Sequence, residues 1–276
     1  MEVENSMSDS IVYHGDCLGV MKGIADGRVD MVLTSPPYDN LRMYNGSLEW
    51  GEHVWKPVVK ELFRVVKDGG VVVWVVNDAT TDGSETGTSF RQALHFMDVG
   101  FKLHDTMIWE KPTFTATGAL RVRYAQVFEY MFVFVKGKLA TFNPIKDRET
   151  RGPRNKHGTV RQADGTMKRQ SSIGKVYSDE DAQRFNVWKM SSEASNTNRF
   201  HPAQFPETLA HDHIISWSNV GDVVLDPFAG AGTTGKMAMK LGRKYILIEK
   251  DAEYVEIIRR RLHAASLEVE TRSLYE

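Results

Sequence analysis

Six short apolar runs divide the chain, at 29–33, 71–76, 106–109, 130–135, 223–225 and 245–248. Several are nearly unbroken Val, Ile and Leu, the composition of strands covered on both faces. Between them, apolar residues recur at three- and four-residue spacing over 55–66, 89–97, 207–217, 234–240 and 252–265, which predicts amphipathic helices. Strands alternating with helices predict an open, mostly parallel α/β sheet. Over 142–199 the pattern changes: long apolar runs stop, and Gly, Ser, Arg and Lys take their place. The pattern predicts one main domain from 11–141 and 200–276, an inserted region at 142–199, and a flexible N-terminus at 1–10.

Composition sharpens this picture at three points. The 276 residues are 41% hydrophobic, enough for one large core plus an insertion. No run approaches the ~18 apolar residues of a membrane span, and the polar start does not resemble a secretory signal. No membrane partner and a cytoplasmic location are therefore expected. The single cysteine, Cys17, excludes an intrachain disulfide and a thiolate-rich zinc site. His211 and His213 lie close in sequence, but no carboxylate completes a ligand pattern, so a surface or capping role is expected and no metal. The net charge of −1 hides an asymmetry. Nine basic residues face three acidic ones within 146–175, a local charge of +6. Such a segment suits phosphate binding; a solvated loop is the plainer reading.

Two short motifs carry candidate chemistry. The first, at 223–235, runs Val-Val-Leu-Asp-Pro-Phe-Ala-Gly-Ala-Gly-Thr-Thr-Gly, a strand passing through a glycine turn into a helix. Four readings compete. Gly230, Gly232 and Gly235 fit the dinucleotide fingerprint, with Glu249 near the ribose-binding position. Gly230, Gly235 and Lys236 nearly form a phosphate loop, but Met237 stands where Ser or Thr must hold magnesium. In the third, an S-adenosylmethionine site, Asp226 faces the cationic amino acid end and Glu249 accepts from the ribose. The fourth is a tight turn without a ligand.

The second motif, Ser35-Pro36-Pro37-Tyr38, follows a buried strand directly. The prolines stiffen the backbone and remove two donors. What remains is rich in acceptors: the Ser35 hydroxyl and carbonyl and the Pro36 carbonyl. Such a turn suits holding an exocyclic NH2, and Tyr38 offers a face for a base swung out of its helix. A stiff loop without chemistry remains the alternative.

At these residues the chain resembles the amino-methyltransferases of DNA, in the circularly ordered group called beta class. Thr34-Ser35-Pro36-Pro37-Tyr38 comes first, then the basic segment, then Asp226-Pro227-Phe228-Ala229-Gly230-Ala231-Gly232-Thr233-Thr234. His201-Pro202-Ala203-Gln204-Phe205-Pro206 resembles the family's cofactor-side motif, and Gly15-Asp16-Cys17 its adenine-reading loop. The resemblance implies a Rossmann-like fold, S-adenosyl-L-methionine as cofactor, and methyl transfer to DNA in a restriction-modification setting. It implies catalytic Ser35, Pro36, Pro37 and Tyr38. It implies cofactor contacts from Asp16, Cys17, Thr34, His201, Ala203, Phe205, Asp226, Phe228, Gly230, Gly232, Thr233, Thr234, Glu249 and Lys250. The inserted region becomes the target-recognition region on double-stranded DNA, with Arg42, Arg148, Arg151, Arg154, Arg161, Lys168 and Arg169 as candidate contacts. Serine before Pro-Pro-Tyr leans to cytosine N4 over adenine N6. Cys17 lacks the preceding proline of a cytosine-C5 nucleophile, so a lining role is expected. A homodimer and a restriction endonuclease partner are compatible with the resemblance.

Overall fold

In a computed structural model of the chain, residues 10–37, 50–112, 122–148, 159–169, 182–191 and 205–273 are described. The Val- and Ile-rich runs become the centre of an eight-stranded sheet. From one edge to the other its strands are β1 (Ile11–His14), β12 (Lys244–Glu249), β11 (Val223–Asp226), β2 (Val29–Thr34), β3 (Val66–Val76), β7 (Phe128–Val135), β6 (Lys102–Glu110) and β10 (Val187–Lys189). Of these eight, seven run parallel; β7 is antiparallel to its neighbours β3 and β6. The expected α/β class is what the chain adopts.

Among the described residues, six helices cover the sheet. In one set, α1 (Cys17–Met21), α2 (Glu52–Val65) and α3 (Thr88–Val99) pack in sequence. In the other, α4 (Glu207–Trp217), α5 (Thr233–Lys240) and α6 (Ala252–Ser273) do the same. The larger core joins Val58, Leu62 and Phe96 from helices to Val32, Trp74, Phe134 and Leu225 from strands. A smaller one holds Leu247 against Ile258 and Leu262. Phe96 and Phe134 stack with ring centres 4.2 Å apart. The aromatic run of β7 is thus core, as its composition suggests: Phe134 is fully buried and Phe132 nearly so.

The connections matter for the site. From β2 the chain winds through α2 to β3 on one side; from β11 it winds through α5 to β12 on the other. The connections from β2 to β3 and from β11 to β12 therefore run in opposite directions along the sheet, and the order reverses at the carboxyl ends of two adjacent parallel strands. Open α/β sheets bind ligands at this point.

Several elements differ from the pattern-based expectation. The short edge strand β1 and the one-turn helix α1 were not legible. β3 starts at Val66 rather than 71, because 67–70 forms an irregularity between the pairs Val29↔Val66 and Met31↔Val71. There Gly69 adopts φ +86°, and an added Cβ would fall 3.0 Å from the Lys138 carbonyl. Finally, the chain divides into two compact units, Met1–Asn143 with Asn186–Glu276, and Pro144–Phe185. The expected insertion of 142–199 is wider than the second unit, because β10 pairs with β6 in the main sheet. Within the second unit, β8 (Thr159–Arg161) and β9 (Met167–Arg169) form an antiparallel hairpin. A further small hairpin, β4 (Thr80–Thr81) and β5 (Ser84–Glu85), belongs to the first unit.

Candidate active site

Four neighbouring strands end side by side, and each delivers residues singled out in the sequence. β1 leads into Asp16 and Cys17, β12 ends at Glu249, β11 ends at Asp226, and β2 ends at Thr34 before Ser35, Pro36 and Pro37. At ~4.8 Å between strands, the row spans roughly 15 Å.

Asp226 is the anchor of this row. It is 2% exposed. Its Oδ1 accepts from the Thr34 hydroxyl at 2.7 Å and from the Phe228 amide at 3.1 Å. Its Oδ2 accepts from the Thr234 hydroxyl at 2.7 Å. These bonds tie the end of β2, the glycine turn and the start of α5 to one carboxylate. Burial pushes the Asp226 carboxyl up to about 6, partly opposed by the two hydroxyls, and the nearby Glu249 charge adds to the rise.

On the adjacent strand, Glu249 also gathers backbone donors. Its Oε2 accepts from the Gly230 amide at 2.8 Å and its Oε1 from the Asp251 amide at 2.9 Å. Burial raises this carboxyl as well. Two enclosed acids on adjacent strand ends make a site that favours a cationic ligand. Asp16 caps α1, with Oδ1 accepting from the Gly19 amide at 3.1 Å. The backbone after β1 is fastened to the row by Gly15 donating to the Glu249 carbonyl at 2.9 Å. Lys250 has an exposed side chain, and its carbonyl lies 3.2 Å from His14 Nε2.

The glycine turn is shaped by contact as well as by conformation. Gly232 has φ +77°, and an added Cβ would meet Ile258 Cγ1 at 3.0 Å. At Gly235 a Cβ would collide with Leu247, so this glycine lets α5 lie close against β12. Lys236 pairs with Glu207 at 2.6 Å. The lysine is thereby held against α4, which removes the residue that a phosphate loop requires.

Comparison with known proteins decides the family. The N6_N4_Mtase pattern, described as DNA methylase, matches residues 29–260. The chain belongs to this DNA methylase family. It is similar to the orphan methyltransferase M.BamHII of Bacillus amyloliquefaciens, with 48% identity over 250 residues, 87% of this chain and 91% of that protein. It is also similar to the DNA adenine methyltransferase YhdJ of Escherichia coli (strain K12), with 30% identity over 92% of this chain and 83% of that protein. Among solved structures, the PvuII DNA methyltransferase (cytosine-N4-specific) superposes with a TM-score of 0.67 at 21% identity, covering 97% of this chain and 93% of that one. That likeness is one of fold.

Beside the glycine turn of this methylase stand residues that the sequence did not single out. Arg261 of α6 reaches across to the glycine turn. One guanidinium nitrogen donates to the Ala231 carbonyl at 2.5 Å, and the other to Glu207 Oε1 at 2.9 Å. Arg261, Glu207 and Lys236 thus fasten the turn to two helices. No spacing rule in the sequence links three residues so far apart. Trp50 sets its ring edge-on to Phe228, centres 5.5 Å apart, and its buried indole N–H has no hydrogen-bond partner among the described residues.

Other expectations find their places. Ser35 and Pro37 are half-buried and Pro36 is buried. Phe205 is 7% exposed just before α4. Cys17 is buried, and its thiol is pushed up to about 12, by burial first and then by the Asp16 charge. A thiol held protonated is no nucleophile. His211 is half-exposed beside Asp212, as a surface role requires. His213, in contrast, is fully buried, accepting from the Trp217 indole at 3.2 Å, so the surface expectation fails there because α4 turns this residue into the core. Among the described residues no group of three or more ligating side chains could hold a metal ion. Likewise, no described helix is long and apolar enough to cross a membrane. Trp109, next to last in β6, lies at the same edge but three strands from β2, and its indole donates to the Met190 carbonyl at 2.9 Å. Tyr38, Arg42, Arg151, Arg154, His201 and Ala203, and the N-terminal segment 1–9, lie outside the described residues. In the second unit, Arg148 donates to the Gln183 carbonyl at 2.8 Å and lies over the Phe185 ring, while Arg161, Lys168 and Arg169 are exposed.

Proposed function

We propose that this DNA methylase transfers a methyl group from S-adenosyl-L-methionine to N4 of cytosine in double-stranded DNA. One observation carries the reading: four adjacent strand ends present Asp16, Glu249, Asp226 with its glycine turn, and Ser35-Pro36-Pro37, in that order. An adenosine with a methionine tail has its binding groups in the same order. Asp16 accepts from the adenine amine, with Cys17, Lys250 and Phe205 as lining. Glu249 accepts from the ribose hydroxyls with the lone pairs its two amide partners leave. Asp226, braced by Thr34 and Thr234, places negative charge beneath the amino acid end, where Phe228, Gly230, Gly232 and Thr233 shape the turn. The fit is electrostatic: both acids are raised by burial, and a cationic ligand relieves both. His201 and Ala203 complete the cofactor side in this reading.

The cofactor supplies an electrophilic methyl on a positively charged sulfur. The residues of the chain prepare the other reactant. The lone pair of an exocyclic amine is delocalised into its ring and attacks poorly. The Ser35 hydroxyl and the Pro36 carbonyl accept from the two N–H groups and turn the lone pair outward, and Tyr38 stacks on the extruded base. The surplus amine proton leaves toward solvent after transfer. Positioning supplies most of the acceleration. Serine, rather than an acid, before Pro-Pro-Tyr favours cytosine N4 over adenine N6. The second unit binds the DNA, with Arg148, Arg161, Lys168 and Arg169, joined by Arg42, Arg151 and Arg154. Methyl-labelled cofactor and duplex DNA test the reading: label enters DNA with the native chain and falls at least a hundredfold with Ser35→Ala. Full transfer by Ser35→Ala refutes the assigned turn.

A further inference from the structure

The β8–β9 hairpin is an unusual piece of a folded chain. All six strand residues are exposed, so neither face has a core to cover. A two-stranded ribbon in water is marginal by itself. Three of the six residues are basic, Arg161, Lys168 and Arg169, and none is acidic. Asp164, in the loop between the two strands, turns back into its own tight turn, accepting from the Thr166 amide at 2.9 Å and hydroxyl at 2.7 Å. Gly165 closes that turn at φ +85°, and Gln162 donates to the Thr166 carbonyl at 2.7 Å. The ribbon therefore offers positive charge along its length, and no acid of its own strands neutralises it.

The pairing fixes which side chains share a face. Thr159 pairs with Arg169, Val160 with Lys168, and Arg161 with Met167. Paired residues project to the same side, and positions two apart along a strand do too. One face thus carries Thr159, Arg161, Met167 and Arg169; the other carries Val160 and Lys168. Arg161 and Arg169 sit diagonally, roughly 7–8 Å apart at their bases. That is about two base-pair steps of ~3.4 Å.

We propose that the β8–β9 ribbon enters the major groove of double-stranded DNA and reads two base pairs, about two steps apart, with Arg161 and Arg169. The inference rests on the chain being a DNA methylase acting on duplex DNA, and assigns the residues that choose the sequence. The major groove admits a two-stranded ribbon, and arginine binds the guanine edge in bidentate fashion. Lys168, on the opposite face, meets phosphate and anchors without selecting.

The test uses the full chain and a pool of duplexes randomised in sequence, with bound duplexes and methylated duplexes sequenced separately. Arg161→Ala and Arg169→Ala each lose preference at one base pair, a different one for each variant, with discrimination there falling roughly five- to 150-fold. Lys168→Ala weakens all sequences alike and lowers the slope of log affinity against log salt by about 0.9. The ribbon is exposed, so these variants fold, as unchanged cofactor binding verifies. If the double variant Arg161→Ala/Arg169→Ala keeps the native base preference, or loses affinity for all sequences equally, base reading by the ribbon is overturned while methyl transfer stands. If the native chain selects sequences through both arginines yet transfers no methyl, the ribbon assignment holds and the catalytic reading fails.

Discussion

Replacing Asp226 with asparagine should make the protein more stable and a worse enzyme. The carboxyl is enclosed, and its acidity is shifted from 3.8 to about 6. At about 1.4 kcal/mol per pH unit, ionised Asp226 costs the fold about 3 kcal/mol at neutral pH. The sign follows from where the proton is held. The native state keeps it to higher pH than the unfolded state does, so stability falls as pH rises from 3.8 to about 6 and is level above that. Asparagine removes the charge and retains the bonding. Its oxygen accepts from Thr34 and the Phe228 amide. Its NH2 donates to the Thr234 hydroxyl, which already lies 3.3 Å from the Leu33 carbonyl and donates there instead. Equilibrium unfolding near pH 4 should find the two proteins alike. At pH 8 Asp226→Asn should lead by about 3 kcal/mol, which raises Tm by about 6–12 °C. Cofactor affinity moves the other way. The native chain should bind S-adenosylmethionine more tightly as pH rises through 6, and the variant should lack this dependence and bind about thirtyfold more weakly, for a lost charge–charge term of about 2 kcal/mol. A variant that unfolds below the native Tm at pH 8 would show that the buried charge is no net cost, and the electrostatic argument would fail.

Substitutions at three further residues probe the same strand ends. Cys17→Ala should retain methyl transfer within about threefold, as measured with labelled cofactor, because a buried thiol that titrates near 12 is never the nucleophile. Gly235→Ala should destabilise by about 1–3 kcal/mol in denaturant titration, since its Cβ would press into Leu247 and push α5 away from β12. Arg261→Met should raise KM for S-adenosylmethionine about tenfold with kcat largely kept, and Arg261→Lys should recover some of the loss. Equal falls in kcat and kcat/KM would instead place Arg261 in the transition state.

The strand–helix alternation was legible because buried parallel strands tolerate only apolar residues, and Val29, Val71 and Val223 announce theirs plainly. β1 was not, since an edge strand of four residues carries too little pattern to separate from a loop. The need for Gly69 within β3 was not legible either, because the close approach of the 138–140 backbone that demands it exists only in the fold. The site followed the same division. Ser35, Asp226 and Glu249 were visible as local motifs at strand ends, and the sheet order explains why motifs nearly 200 residues apart meet. The bond from Thr34 to Asp226 joins them directly. The Arg261–Glu207–Lys236 brace was invisible, because it joins three helices and exists only after they pack. The burial of His213 was hidden for the same reason: α4 is buried on most of its circumference, with Asp212, His213 and Ser216 among the buried residues, so its sequence marks no clear outer face.

The most direct measurement is the nucleoside composition of duplex DNA after incubation with the native chain and S-adenosylmethionine, read by mass spectrometry. N4-methylcytosine, absent when Ser35→Ala is used, is the product that the proposed function predicts. N6-methyladenine would contradict the choice of base, and unmodified nucleosides or 5-methylcytosine would contradict amine methylation at the Ser35 turn altogether.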